Sequence, residues 1–131
     1  MRRAWLAAGL LASSLGLGGC NGLPTGDTVL YAAGSPELAN ATVSPEGVWE
    51  SSPWSGDGVL WLPYPAQATI DVEHGLGRVP RDVDIWISFE ADGDAPAPAS
   101  GDLARLIAID ESMISVRNST NVVLYARITL Q

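Results

Sequence analysis

The chain contains no lysine, and its seven arginines face fifteen carboxylates, for a formal charge of −8. So acidic a surface repels phosphate backbones and anionic headgroups, which argues against nucleic acid and against electrostatic docking to a membrane. The one cysteine, Cys20, cannot form an internal disulfide, so packing alone has to hold the fold. The one histidine, His74, leaves carboxylates as the only other supply of metal ligands. No Gly-x-Ser-x-Gly elbow, His-Glu-x-x-His pair, phosphate loop or dinucleotide fingerprint is present. The expectation is therefore a non-enzymatic protein with no catalytic residue, no metal and no cofactor. No apolar run reaches the roughly 20 residues of a spanning helix. The longest stretch, Ala4 to Gly19, is broken at Ser13 and Ser14.

That stretch follows Arg2 and Arg3 and ends in Leu17-Gly18-Gly19-Cys20. A short basic start, an apolar middle and a small-residue site form a processing signal rather than part of a fold. The arrangement resembles a bacterial lipoprotein signal with its lipobox, which implies cleavage before Cys20 and a thioether to diacylglycerol on its sulfur. Anchoring takes more than one acyl chain, each buried methylene contributing about 0.8 kcal/mol, and a modified Cys20 would carry two or three. The resemblance implies a partner in the membrane itself and a place in the bacterial cell envelope. Asn21 stands where inner-membrane retention would have aspartate, which leans toward the outer membrane.

Cleavage there removes 19 of the 131 residues and leaves 112, with five arginines against fifteen acids. One domain of this size buries about two-thirds of its unfolded surface, enough for a core without staples. Residues 20–27 read as the lipidated amino terminus and a Gly/Pro-rich tether, and residues 28–131 as the domain. Thr28 to Ala33 is a first apolar run. Pro45, Pro53 and Pro63 then deny the next stretch a helix. Farther on, Ala68, Ile70, Val72 and His74 alternate with Thr69, Asp71 and Glu73, and Val83, Ile85, Ile87 and Phe89 alternate with Asp84, Trp86, Ser88 and Glu90. This is the period of strands with one wet face. Leu103 to Ile109, Met113 to Arg117 and Val122 to Leu130 continue the series. Asp110 to Ser112 and Asn118 to Asn121 serve as the turns of a meander. Ala91 to Gly101, rich in Pro and Gly, is expected to be a mobile surface excursion. The predicted fold is all-β, a small antiparallel β-sandwich of about six to eight strands.

Several residues are candidates for chemistry. His74, ahead of Gly75-Leu76-Gly77, could be a general base or a metal ligand, but a side chain bonding the turn backbone is the preferred role. Asp92, Asp94 and Asp102 could supply oxygen ligands to calcium, though the pattern of a calcium loop is absent and a solvated loop is preferred. Asn40-Ala41-Thr42 and Asn118-Ser119-Thr120 match the glycosylation sequon and are taken as surface turns. Acidic pairs, Asp71 with Glu73 or Asp82 with Asp84, leave a polysaccharide hydrolase or lyase as the alternative function. Trp61, within Val59-Leu60-Trp61-Leu62, is expected in the core. Trp49, Trp54 and Trp86 are the candidates for ligand or partner contact, since indole faces stack on sugars and on protein surfaces. Trp86, which alternates onto a polar face, calls for a second layer or a contact.

His74-Gly75-Leu76-Gly77-Arg78-Val79-Pro80 followed by Val83-Asp84-Ile85-Trp86-Ile87-Ser88-Phe89 resembles a segment of the small β-sandwich modules that end phage tail-fibre proteins, and more distantly H-type lectins. The resemblance covers Ala68 to Gln131. It implies a strand ending at His74, a tight turn over Gly75 and Gly77, a new strand beginning at Pro80 and a closing strand with Arg127. It also implies a lectin-like or assembly role, a glycan or protein partner and a homo-oligomer, often a trimer. A structural homo-oligomer joined through the last strand is a further alternative.

Overall fold

A computed structural model describes residues 27–131. The signal segment, Cys20 and the tether up to residue 26 lie outside the described residues. The fold is an all-β sandwich of ten strands: β1 Thr28–Tyr31, β2 Thr42–Val43, β3 Trp49–Glu50, β4 Leu62–Tyr64, β5 Thr69–Glu73, β6 Val83–Ser88, β7 Ala97–Pro98, β8 Arg105–Ile109, β9 Met113–Arg117 and β10 Leu124–Leu130. Single helical turns at Pro36–Leu38 and Gly101–Leu103 complete the described chain.

One sheet has the order β1-β5-β9-β8, and the other β2-β3-β10-β6-β7, with β4 also paired to β10. The six long runs of the sequence give β1, β5, β6, β8, β9 and β10. The strands beyond that expectation, β2, β3, β4 and β7, are two or three residues each and carry no readable period. β7 falls within the stretch expected to be a mobile excursion. Its Pro98 is tolerated because β7 is an edge strand, where a missing ladder donor costs nothing. The sandwich also departs from purely antiparallel pairing, since β1 runs parallel to β5.

The core is built by alternation. Ala68, Ile70, Val72 and His74 point inward from around β5, Ile114 and Val116 from β9, Ile85 and Ile87 from β6, and Leu124, Ala126, Ile128 and Leu130 from β10, all buried. Truncating one of the fully buried Ile or Leu side chains to Ala costs about 2–5 kcal/mol. Two residues expected on this face miss it. β6 stops at Ser88, which stays on the Trp86 face and donates its hydroxyl to Asp94 O, and Phe89 swings out to 69% exposure. β10 starts at Leu124, leaving Val122 exposed in the preceding turn.

That turn is not a meander hairpin, because β9 and β10 belong to different sheets. Asn118 makes the crossing. It is fully buried, its amide nitrogen lies 2.8 to 3.3 Å from Val122 O, Pro65 O and Tyr64 O, and its Oδ1 accepts from the backbone and hydroxyl of Thr120. The sequon reading of Asn118 as a surface residue is corrected accordingly. The Asp110 to Ser112 turn does join the hairpin neighbours β8 and β9.

β10 is paired along its length to β6 on one side and to β4 and β3 on the other. It therefore offers no free edge, so the edge contact expected of the last strand is not available at β10.

Candidate functional site

Between β3 and β4 the chain leaves the ladder. Ser51 takes over the bonding of Ile128, its N–H donating to Ile128 O and its hydroxyl accepting from Ile128 N–H, both at 2.9 Å. The following residues then fold over the outer face of the sheet. On that face Arg127 of β10 and Trp86 of β6 are register partners. The loop lays Trp54 above them, with its ring 4.1 Å from the Arg127 guanidinium carbon and 5.0 Å, edge to face, from Trp86. Trp61 returns beneath at 6.1 Å from Trp54.

Arg127 is only 2% exposed, which a wet-face reading of β10 does not anticipate. Burying a guanidinium is costly unless its donors find partners. Nε donates to Ser52 O and Nη1 to Thr129 Oγ1, each at 2.9 Å. Nη2 lies 3.1 Å from Glu50 Oε1, close enough for an ion pair but outside hydrogen-bond alignment, so it counts as unbonded among the described residues. The indole of Trp54 covers the remaining face by a cation–π contact.

Trp61 is 2% exposed, in keeping with a core position, and its ring lies on the backbone of Gly93. A Cβ built on Gly93 would fall 2.2 Å from Trp61 Cε2, so only glycine lets the Asp92-Gly93-Asp94 loop approach so closely. The loop is held by Asp92 Oδ1 accepting from Asp94 N–H and by Trp61 N–H donating to Ala91 O. Asp102, the third candidate calcium ligand, instead meets Arg105 at 3.2 Å. Among the described residues no three His, Cys, Asp or Glu side chains gather as metal ligands.

Two depressions flank this aromatic cluster. One is an open groove of about 320 Å³ bounded by Trp54, Ser55 and the stretch from Asp92 to Pro96. The other is a cleft of about 330 Å³, mainly apolar, whose walls include Pro36, Leu60, Trp61, Pro63 and Tyr125. Trp54 remains 45% exposed at the groove.

The sequence candidates are thus divided. Trp54 and Trp86 come together. Trp49 does not, being 3% exposed in the core and edge-on to His74 with ring centroids 6.4 Å apart. A ligand cannot reach it, and its candidacy as a contact residue is corrected. Arg127 and Gly93 escaped the sequence reading of the site. The one available signal was the Trp86–Arg127 pairing, which needs the strand register to be known.

His74 is buried under the turn that follows it. Leu76 N–H donates to Nδ1 at 3.1 Å, which leaves the proton on Nε2, 3.0 Å from Asp110 O. Burial lowers the histidine pKa from its ordinary 6.5, against the opposing effects of the Asp110 carbonyl bond and carboxylate. Gly75 and Gly77 take φ of +63° and +73°, as a tight turn demands. Pro80 is buried but stands three residues ahead of β6 and does not open it. Arg81 and Asp82 intervene, both donating their N–H to Gln131 O.

Compared with protein-family models, with curated proteins and with solved structures, the chain matches none.

Proposed function

We propose that the protein is a lipid-anchored, non-enzymatic binding module of the bacterial cell envelope, and that it binds an uncharged glycan in the Trp54 groove. The observation that carries this reading is a rigidly mounted indole left open beside carboxylates. Trp54 is fixed by Arg127, Trp86 and Trp61, and Asp92 and Asp94 stand across the groove. An indole offers a flat apolar platform for the C–H face of a sugar ring, and carboxylate oxygens accept from its hydroxyls with charge-assisted strength. The stacking residue is held before the ligand arrives, so little ordering is asked of it on binding. The acidic rim and the acidic chain disfavour uronic or sialic acids. The lectin-like resemblance of the segment from His74 to Phe89 agrees with this role, and the lipobox at Cys20 supplies the membrane attachment, with the outer membrane as the destination.

The polysaccharide hydrolase reading has less behind it. In the first of its two acidic pairs, Asp71 accepts from the Ser115 hydroxyl and Glu73 from Ala33 N–H, both on the other sheet from the Trp54 groove. In the second, Asp82 lies ahead of β6 and Asp84 within it, two residues from Trp86, and neither is among the residues that bound the groove. Two measurements test the proposal. Labelled palmitate enters the parent and not Cys20→Ala; equal labelling overturns the anchor. On a panel of neutral and acidic oligosaccharides the full chain retains neutral members, and a preference for acidic ones overturns the assigned ligand.

A further inference from the structure

Among the described residues five strands have an unpaired edge: β1 and β8 in one sheet, and β2, β7 and β4 in the other. β4 is three residues long with Pro63 at its centre and so is a poor template. β2 and β7 are two residues long, and β7 carries Pro98, so neither invites pairing. β1 is tied down at Tyr31, which is buried with its hydroxyl on Pro63 O. β8 is different. It is five residues long, Arg105 to Ala108 are all exposed, and Leu106 and Ile107 stand 48% and 53% open to water. A strand of that kind at an edge is a template for another strand.

Its ends carry opposite charges, and a bulge aligns them. Arg105 pairs with Arg117, Leu106 with Val116, and Ala108 with Ser115, leaving Ile107 as the extra residue. The extra residue resets the alternation. Arg105 lies opposite Arg117 and Asp110 N–H donates to Met113 O, and both partners belong to the sheet's outer face with Asp71 and Glu73. Without the bulge, residues five apart would point to opposite faces. Arg105 and Arg117 are also like charges in direct register, an unfavourable pair, and the one carboxylate that meets Arg105 among the described residues is the exposed Asp102.

We propose that β8 is a self-association edge, on which a second copy of this chain lays its own β8 antiparallel about a two-fold axis. In that arrangement Arg105 of each copy faces Asp110 of the other on one face of a continuous eight-stranded sheet. In that register Leu106 lies opposite Ile109, and Ile107 opposite Ala108, of the other copy. The run Arg-Leu-Ile-Ala-Ile-Asp is self-complementary only when antiparallel, which selects a closed dimer over an open chain of strands.

The test is sedimentation of the full chain extracted in a density-matched non-ionic detergent. The parent sediments as a dimer. Arg105→Asp, which loses an exposed ion pair with Asp102 and relieves the like-charge register with Arg117, sediments as a monomer whose thermal transition is close to the parent's. Asp110→Arg is also a monomer, and mixing the two variants restores a dimer, because each now supplies the charge the other lacks. Asp110 also accepts from Ser112 and Met113 N–H, so Ile107→Lys serves as a second disrupting variant should Asp110→Arg fail to fold. A monomeric parent, a dimer that survives both Arg105→Asp and Ile107→Lys, or an open-ended series of larger species overturns the proposal.

Discussion

Replacing Gly93 by alanine probes how the aromatic cluster is mounted. The new Cβ meets Trp61 Cε2, Nε1 and Cζ2 at 2.2, 2.5 and 2.6 Å, and the indole is 2% exposed, so the ring or the loop has to shift. Overpacking of this kind costs about 1–3 kcal/mol. The left-handed backbone, φ +80°, adds roughly 1 kcal/mol for any residue with a Cβ. The sum, about 2–4 kcal/mol, is a large share of the roughly 5–15 kcal/mol that holds a domain. In urea, with a slope near 1.5 kcal/mol/M, the midpoint falls by roughly 1–3 M. Gly34→Ala is the matched control. Its φ is +82° and nothing lies within 4 Å of its new Cβ, so it carries the backbone cost alone. Gly93→Ala thus loses at least twice as much as Gly34→Ala. Equal losses would refute the claim that Trp61 is seated on the glycine backbone.

Other outcomes follow from the same geometry. His74 has a lowered pKa in the folded chain, so the unfolded chain binds the extra proton first. Stability is level above about pH 7 and declines as pH falls through the ordinary histidine value of 6.5, a decline absent from His74→Phe in melts taken from pH 7.5 to 5.5. A second decline begins below pH 4 as Asp110 is protonated, because the N–H groups of Ser112 and Met113 and the Ser112 hydroxyl hold its carboxyl below the ordinary 3.8. Arg127→Lys cannot reach Ser52 O and Thr129 Oγ1 together, and each bond from a charged donor is worth about 1.5–3 kcal/mol. A melting temperature within a degree or two of the parent would contradict its burial as a bonded fork. Asn118→Ala orphans buried carbonyls at the crossing between sheets and costs about 2–4 kcal/mol, measured as a lowered urea midpoint.

The strands that could be read from the sequence are those whose residues alternate. β5 shows this most clearly, because Ile70 and Val72 turn inward while Asp71 and Glu73 face water, and the period follows from the pleat itself. β2, β3, β4 and β7 are too short to show a period, and their pairing with or near β10 is a tertiary fact. Arg127 misled for the same reason. Its place in the alternation was legible, but the loop that covers it is not encoded within β10. Trp54 was legible as an aromatic outside any strand, and Trp86 as a large ring on a polar face. That they meet depends on β10 lying beside β6 and on Ser51 breaking the ladder. Trp49 could not be sorted from Trp54 by sequence, since both sit among prolines, glycines and serines. Asn118 hid behind a surface motif, because a buried turn and a glycan acceptor ask for the same short side chains.

The account rests on Trp54 as the platform for a ligand, and a binding titration against the best neutral oligosaccharide of the panel tests it most directly. Run on the parent, on Trp54→Ala and on Asp92→Asn with Asp94→Asn, it is expected to show binding lost in the first variant and weakened about tenfold or more in the second, one lost increment of about 1.4 kcal/mol. Undiminished affinity in Trp54→Ala, with the thermal transition preserved, would contradict it.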